Sequence, residues 1–246
     1  MRTTGIAVAA VIIALPLLST APAAAAQSPC TDMGGNVQSG DVCHALEIAP
    51  EYTIDLRFGI GHPEDGAVAA YLAQERNRVI GLARAPGATK LPYSLLVTSV
   101  STSSGQPQQT TQGYNTNAIP STPQTGTRSL VLKILADIES ARSDSIYKSF
   151  TFDFDQNRPV TLDDLFEPGV DPVDVLSPLV AADLTRQFTI RGFTVSNGIR
   201  SPATYRSFAI TDDAVVFYID QSAVLPAAVG GVISVVPRAK IPPLKI

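Results

Sequence analysis

The residues most suggestive of chemistry lie in "TFDFDQNRPVTLDDLF", residues 151–166. Asp153, Asp155 and Asn157 alternate, and Asp164 falls twelfth counting from Asp153, where a calcium loop of the EF-hand type places its last ligand. Such a loop also needs glycine at its sixth position and helices on both sides. Here the sixth position is Arg158, Pro159 follows, and the preceding residues alternate as a strand. Asp153 and Asp155, two apart, are predicted to share its solvent face. Thr161 and Asp164 match the capping box of a short helical turn. The stretch therefore reads as a hairpin turn followed by a capped turn, and no metal ligands are assigned.

Nucleophilic catalysis of the serine-histidine-aspartate kind needs a base beside the nucleophile and an acid that orients it. The chain holds two histidines, His44 and His62, and no G-x-S-x-G elbow. The adjacent carboxylates Asp163-Asp164 and Asp212-Asp213 read as solvated turn residues, since a glycosidase pair has to face across a cleft. Neither a phosphate-binding loop nor a dinucleotide motif occurs, so no cofactor is expected. From the residues alone no catalytic and no binding side chain is assigned, and the chain is expected not to be an enzyme.

The elements that would position any site follow from pattern. The chain opens with Arg2, an apolar run from Ile6 to Leu18 and the small residues Ala24-Ala25-Ala26, the layout of a secretory signal peptide over residues 1–26. An uncleaved anchor helix is the competing reading. The sequence before Cys30 is not a lipobox. Cleavage would leave 220 of the 246 residues, and losing Arg2 would move the net charge from −4 to −5. That balance argues against nucleic acid or an anionic membrane as the main partner. Cys30 and Cys43 form an even pair in an exported chain and are expected to make a structural disulfide; they lack the C-x-x-C spacing of a redox pair.

Residues 45–57, "ALEIAPEYTIDLR", read as a half-buried strand with Tyr52, Ile54 and Leu56 alternating. A helix follows, opened by Pro63, Glu64 and Asp65, with Val68, Tyr71, Leu72, Val79, Leu82 and Ala83 on one face. Residues 91–102 return to β. The polar segment 103–128 is predicted to be a flexible linker between a subdomain at 27–102, which carries the disulfide loop, and one at 129–246. In the second half, 129–140 and 145–155 read as strands. Ser177 and Pro178 read as the cap and first residue of a helix that buries Leu179, Val180, Leu184 and Phe188. Residues 205–220 form a hairpin, and 230–237 a last strand. Two main helices against about seven strands, not strictly alternating, define an α+β fold with mixed sheets.

Three segments, "SIYKSFTFDFDQNRPVTLDDLF", "FAITDDAVVFYIDQSAVLPAAVGGVISVVPRAKI" and "PEYTIDLRFGIGHPEDGAVAAYLAQERNRVI", together resemble the mycobacterial secreted immunogenic protein family. That family is related to the extracellular domain of the lysozyme-responsive anti-sigma-V factor. The resemblance covers nearly the whole chain after residue 26, paired cysteines included. It implies an exported, β-grasp-like α+β domain without an established general activity, and a protein ligand such as lysozyme. With five residues ahead of the apolar run, the chain is not expected to be an anti-sigma factor itself. Where many relatives show a Gly-Gly-x-His-Pro-like turn, this sequence reads "ADIESARSDS" (136–145), so no binding residue is carried over.

The expected function is thus an exported, non-enzymatic binding protein, secreted or associated with the cell wall, whose partner is an extracellular protein or an envelope component. The alternative is a cell-envelope hydrolase such as an esterase, using a serine near His62 or His44. A surface antigen with no specific ligand is the third reading.

Overall fold

The computed structural model describes residues 29–88, 92–105, 125–138 and 144–246. The segment 1–26, expected to be a signal peptide, lies outside them. Among the described residues, no helix is long and apolar enough to cross a membrane.

Seven strands follow one another in chain order across one sheet: β1 Asn36–Gln38, β2 Val42–Ile48, β3 Tyr52–Gly59, β4 Tyr93–Ser104, β5 Thr127–Asp137, β6 Asp144–Asp153 and β7 Arg158–Pro159. Every pair is antiparallel except β3–β4. Those two are parallel because helix α2, Asp65–Ala83, crosses between them. The short turn of helix α1, Pro29–Asp32, is tied to β2 by the Cys30–Cys43 disulfide, with Cα atoms 5.4 Å apart. Gly35 permits that closure, since a Cβ there would meet the Cys43 Sγ and the His44 carbonyl, each at 2.9 Å. A second sheet runs β10–β9–β8, from strands β8 Phe208–Ile210, β9 Ala214–Ile219 and β10 Val232–Pro237. Helix α3, Pro172–Phe188, lies before it in sequence. The α+β fold with mixed sheets and two main helices agrees with the sequence reading.

Four layers result. Helix α2 buries Val68, Leu72 and Val79 against Ile54, Leu56, Leu95, Leu132 and Ile134 on one face of the large sheet. The small sheet lies on the other face over β4–β6, and α3 covers its far side through Leu176, Val180 and Leu184. Each sheet contributes two aromatic or apolar residues to the contact between them: Val131 and Tyr147 from the large one, Ala209 and Tyr218 from the small one.

That contact is also polar, for a reason that follows from edge-strand chemistry. β8 ends the small sheet, so part of its backbone has no strand partner. Ser149 Oγ accepts the Phe208 N–H at 3.0 Å, Thr151 Oγ1 donates to the Phe208 carbonyl at 3.1 Å, and Ser129 Oγ accepts the Ile210 N–H at 3.3 Å. The edge of β6 is closed in the same way. Asp220 Oδ1 accepts the Tyr147 N–H at 2.7 Å, Gln221 Oε1 accepts the Ser145 N–H at 2.9 Å, and Ser207 Oγ donates to the Tyr147 carbonyl at 2.8 Å.

Several expectations are corrected. Residues 45–57 are two strands of a hairpin, turned at Ala49 and Tyr52 by reciprocal backbone bonds. Helix α3 begins at Pro172 because Asp171 Oδ1 accepts the Val173 N–H at 2.8 Å. Ser177 lies inside that helix with its hydroxyl on the Val173 carbonyl, and Pro178 is interior too. Leu82 is exposed, and Leu179 only half-buried. Asp153 is buried, at 1% exposure, although it lies on the face that the alternation alone would leave to water; its Oδ1 accepts the N–H groups of the turn that follows. The segment 103–128 begins inside β4 and ends inside β5, which pair with each other from Ser94–Asp137 to Ser104–Thr127. Its residues 106–124 lie outside the described residues. The two main cores divide further along, one reaching Phe150 and the other starting at Val160.

Two stability outcomes test this architecture. Replacing Cys30 and Cys43 by serine should lower unfolding free energy by about 3 kcal/mol in chemical denaturation. Asp220→Ala should cost about 1–3 kcal/mol by orphaning the Tyr147 N–H, with Asp220→Asn, which keeps the acceptor, recovering part of the loss.

Candidate active site

Two hollows adjoin along the edge of β6, between α2 and the turns at Asn197–Arg200 and Pro202–Tyr205. Their cavity volumes are about 640 and 650 Å³, and they share Lys148, Ala203 and Arg206. They form one groove with those three residues at its waist. Lys148 leaves β6 beside Phe150, with its ammonium 5.2 Å from the ring centroid. Arg206 is fixed through Nε on the Ala203 carbonyl at 3.2 Å. None of the ion pairs among the described residues includes Lys148 or Arg206.

Glu64 reaches the groove from the start of α2. Its N–H donates to His62 Nδ1 at 3.2 Å, and its carbonyl accepts the Val68 N–H at 3.0 Å. Because Nδ1 accepts, the His62 proton sits on Nε2, which donates to the Arg128 carbonyl of β5 at 3.2 Å. Asp65 closes the same turn by accepting the Gly61 and His62 N–H groups at 2.7 and 3.0 Å. The backbone under Glu64 is therefore locked, while Oε2 of its carboxylate is buried and without a hydrogen-bond partner among the described residues. Burial raises that carboxyl above its ordinary value, with the Lys148 charge opposing the shift. A carboxyl moved toward neutrality and held beside a cation is suited to proton transfer.

The first hollow is rich in hydroxyls. Tyr71 is pushed up to about 12 by burial, aided by the negative charges of Glu75 and Asp220, so it remains a phenol and a donor. Burial likewise raises Tyr147 and Tyr218. Asp220 is raised by burial, against the Tyr147 N–H and the Arg206 charge.

The histidines of the sequence reading fall in two places. His62 is 6% exposed with both ring nitrogens engaged to backbone, so it positions Glu64 and does not face substrate. His44 lies on β2, where Nε2 meets Asp55 Oδ1 at 3.0 Å and Gln38 Nε2 donates to Nδ1 at 3.2 Å. Arg57 grips Asp55 through Nε and Nη2 at 3.2 and 3.1 Å. This is a base with its orienting acid, but both ring nitrogens have partners, no serine hydroxyl is bonded to the ring among the described residues, and His44 lines neither hollow.

The acidic stretch is engaged in its own turns, apart from Asp153 Oδ2, which is buried without a partner among the described residues. Asp153 Oδ1 accepts the Asp155 and Gln156 N–H groups at 2.8 and 3.1 Å, and Asp155 Oδ2 accepts the Gly126 N–H at 2.9 Å. Asp164 accepts the Thr161 N–H and hydroxyl at 2.8 and 2.5 Å and pairs with Arg158 at 2.6 Å. Burial raises its carboxyl, but Thr161 and Arg158 outweigh that and hold it below the usual range. Asp212 accepts the Gly105 N–H at 2.7 Å, and Asp163 lines the second hollow.

Comparison with known proteins places the chain. Residues 163–239, from the capped turn through α3 to the end of the small sheet, match the family described as "Protein of unknown function (DUF3298)". Over 237 residues the chain is 36% identical to Esterase Rv3036c of Mycobacterium tuberculosis, covering 96% of this chain and 97% of that one. The immunogenic proteins MPB64 of Mycobacterium bovis and MPT64 of Mycobacterium tuberculosis are each 27% identical over 218 residues, 89% of this chain and 88% of theirs. A DUF3298 family crystal structure from Bacteroides fragilis aligns with a TM-score of 0.46 at 14% identity, covering 81% of this chain and 90% of that one. One from Pseudomonas aeruginosa gives 0.45 at 11%, with 81% and 89% covered. The chain belongs to the family of Esterase Rv3036c. The immunogenic-protein resemblance holds at the level of homology. The expectation that the chain is not an enzyme is overturned, because a relative aligned over nearly its full length is named an esterase.

The groove was illegible in sequence because Glu64, Lys148 and Arg206 lie on three separate elements and form no motif. The one available signal was Lys148 on the otherwise apolar face of Ile146, Phe150 and Phe152, where a charge needs a reason.

His62 gives a pH test. Burial holds its pKa below the ordinary value, with the Arg128 carbonyl opposing the shift, so the unfolded chain binds its proton first. Its contribution to stability is complete above the unfolded value of about 6.5 and is lost as pH falls through the folded value. Unfolding free energies measured across that window should decline for the wild type and lose this component in His62→Asn.

Proposed function

We propose that the chain is a carboxylic-ester hydrolase that works in this groove. The relationship to Esterase Rv3036c carries the reading, and the buried, unpartnered Glu64 oxygen beside Lys148 and Arg206 supports its location. In this scheme the Glu64 carboxylate takes a proton from a water whose oxygen bonds to the ester carbonyl carbon. The carbonyl π electrons move to its oxygen, where Lys148 and Arg206 offset the charge. Collapse of the tetrahedral species re-forms the C=O bond and breaks the bond to the alcohol oxygen, which takes the proton back from Glu64. Acid and alcohol are released, and Glu64 is again ionised. Water serves as nucleophile because no imidazole lines the groove to activate a hydroxyl. Release from the cell follows the signal-peptide layout of residues 1–26.

The test is hydrolysis of p-nitrophenyl butyrate by the purified chain. Glu64→Gln should lower kcat by about 10²–10⁴ with the folded state intact by circular dichroism. Wild-type kcat should rise with pH through a midpoint above the ordinary glutamate value of about 4.3. His44→Ala should stay within about twofold of wild type; if it abolishes turnover while Glu64→Gln does not, the site lies on the sheet face at His44 and Asp55.

A further inference from the structure

Helix α2 starts without a capping bond from the Glu64 side chain, and the Glu64 N–H donates instead to His62 Nδ1 at 3.2 Å. The rest of the seat is built around the same ring. Nε2 donates to the Arg128 carbonyl at 3.2 Å, and Arg128 Nη1 donates to the Gly61 carbonyl at 3.0 Å. The His62 carbonyl accepts the Asp65 N–H at 3.0 Å, and the Asp65 carboxylate accepts the Gly61 and His62 N–H groups in return. One buried imidazole thus joins the start of α2 to β5. The joint holds only while Nδ1 carries a lone pair. A second proton on the ring would sit on Nδ1 and face the Glu64 N–H, donor against donor.

We propose that this joint is an acid-operated latch: protonation of His62 frees the start of α2 from β5, moves Glu64 off its place in the groove wall, and is reversed when the proton leaves. Its effect on turnover rests on the ester-hydrolase reading; the release itself rests on the hydrogen bonds alone. Burial takes water from the ring and holds the proton off, and the Arg128 guanidinium of β5 adds like charge. The Arg128 carbonyl and the Asp65 carboxylate oppose them. The positive end of the α2 dipole also lies at Nδ1 and disfavours a cation there. Both oxygens of Asp65 already accept N–H groups, so an Nδ1–H that turned to Asp65 would compete with the bonds that close the turn. The Glu64 carboxyl faces the groove, where Lys148 of β6 is its charged neighbour. The latch is therefore shut at neutral pH and opens as pH falls through a value below the ordinary histidine pKa of about 6.5.

NMR of the purified chain carrying Glu64→Gln, titrated from about pH 7.5 to about 4.5, reads the latch without turnover. His44→Ala identifies the signals of the other imidazole. The backbone amides of residue 64, Asp65 and Lys148 should shift with the midpoint of the His62 ring and return on back-titration. Adding His62→Asn, whose side-chain oxygen can take the place of the Nδ1 acceptor and does not titrate, should abolish those shifts. With Glu64 restored, log kcat for p-nitrophenyl butyrate should fall with a slope of about one, set by Glu64, and steepen toward about two where His62 gains its proton. In His62→Asn the slope should stay near one. An imidazole that remains neutral down to acid unfolding, or a ring titration that those amides do not follow, overturns the latch. A wild-type slope that never exceeds one, with the amide shifts present, overturns its control of turnover. Absence of hydrolysis at every pH overturns the hydrolase reading instead, and the NMR titration still decides the latch.

Discussion

The structure depends on how two incomplete sheet edges satisfy each other. β8 and the first half of β6 carry backbone N–H and C=O groups that their own sheets do not fully pair, and Phe208, Ile210, Ser145 and Tyr147 are all buried. An unpaired buried amide costs about 1–3 kcal/mol, so a contact made of apolar residues alone would be unfavourable here. The chain supplies Ser129, Ser149 and Thr151 from the large sheet to β8, and Asp220, Gln221 and Ser207 from the small lobe to β6. Because these bonds are directional, they fix the small lobe at one position along β6. The close pass of Gly231 over Tyr147, where a Cβ would come within 2.6 Å of the ring, belongs to the same fit.

The groove is a consequence of that placement. Docking the lobe against one side of β6 leaves Lys148, on the other side, between α2 and the 197–206 turns. Helix α2 brings Glu64 and Tyr71 to the same channel from above, and the His62 bracket holds the helix start at a set height over β5. His62 thus acts on the site through backbone geometry. The buried polar residues of the lobe contact serve the architecture first; Tyr147, Ser207 and Asp220 then serve the groove because the contact ends there.

Local pattern revealed the strands β4, β5, β6, β8, β9 and β10 and helix α2, each with one buried face, and the even cysteine pair revealed the disulfide. Pattern failed where a second layer covered the other face. Alternation in β6 leaves Tyr147 on a solvent side, and the arrival of β8 and β9, with Ala209 and Tyr218, buries it. The turn between β2 and β3 was missed because Ala49, Pro50 and Glu51 lack the glycine or asparagine that marks a tight hairpin. The polar run 103–128 read as a linker, but its two ends belong to β4 and β5, which pair with each other. The candidate groove was hidden for a related reason: its charged side chains come singly from the start of α2, from β6 and from the last turn before β8, and the histidines that attract attention lie elsewhere.

The central claim is that ester chemistry occurs in the groove beside β6 and not on the open sheet face at His44. Backbone amide NMR of the isotope-labelled chain, titrated with octanoate as the product acid, tests it most directly. Shifts clustered at Ala67, Lys148, Phe150, Ala203 and Arg206 are the expected result. Shifts confined to β2 and β3 around His44, Asp55 and Arg57 would contradict it.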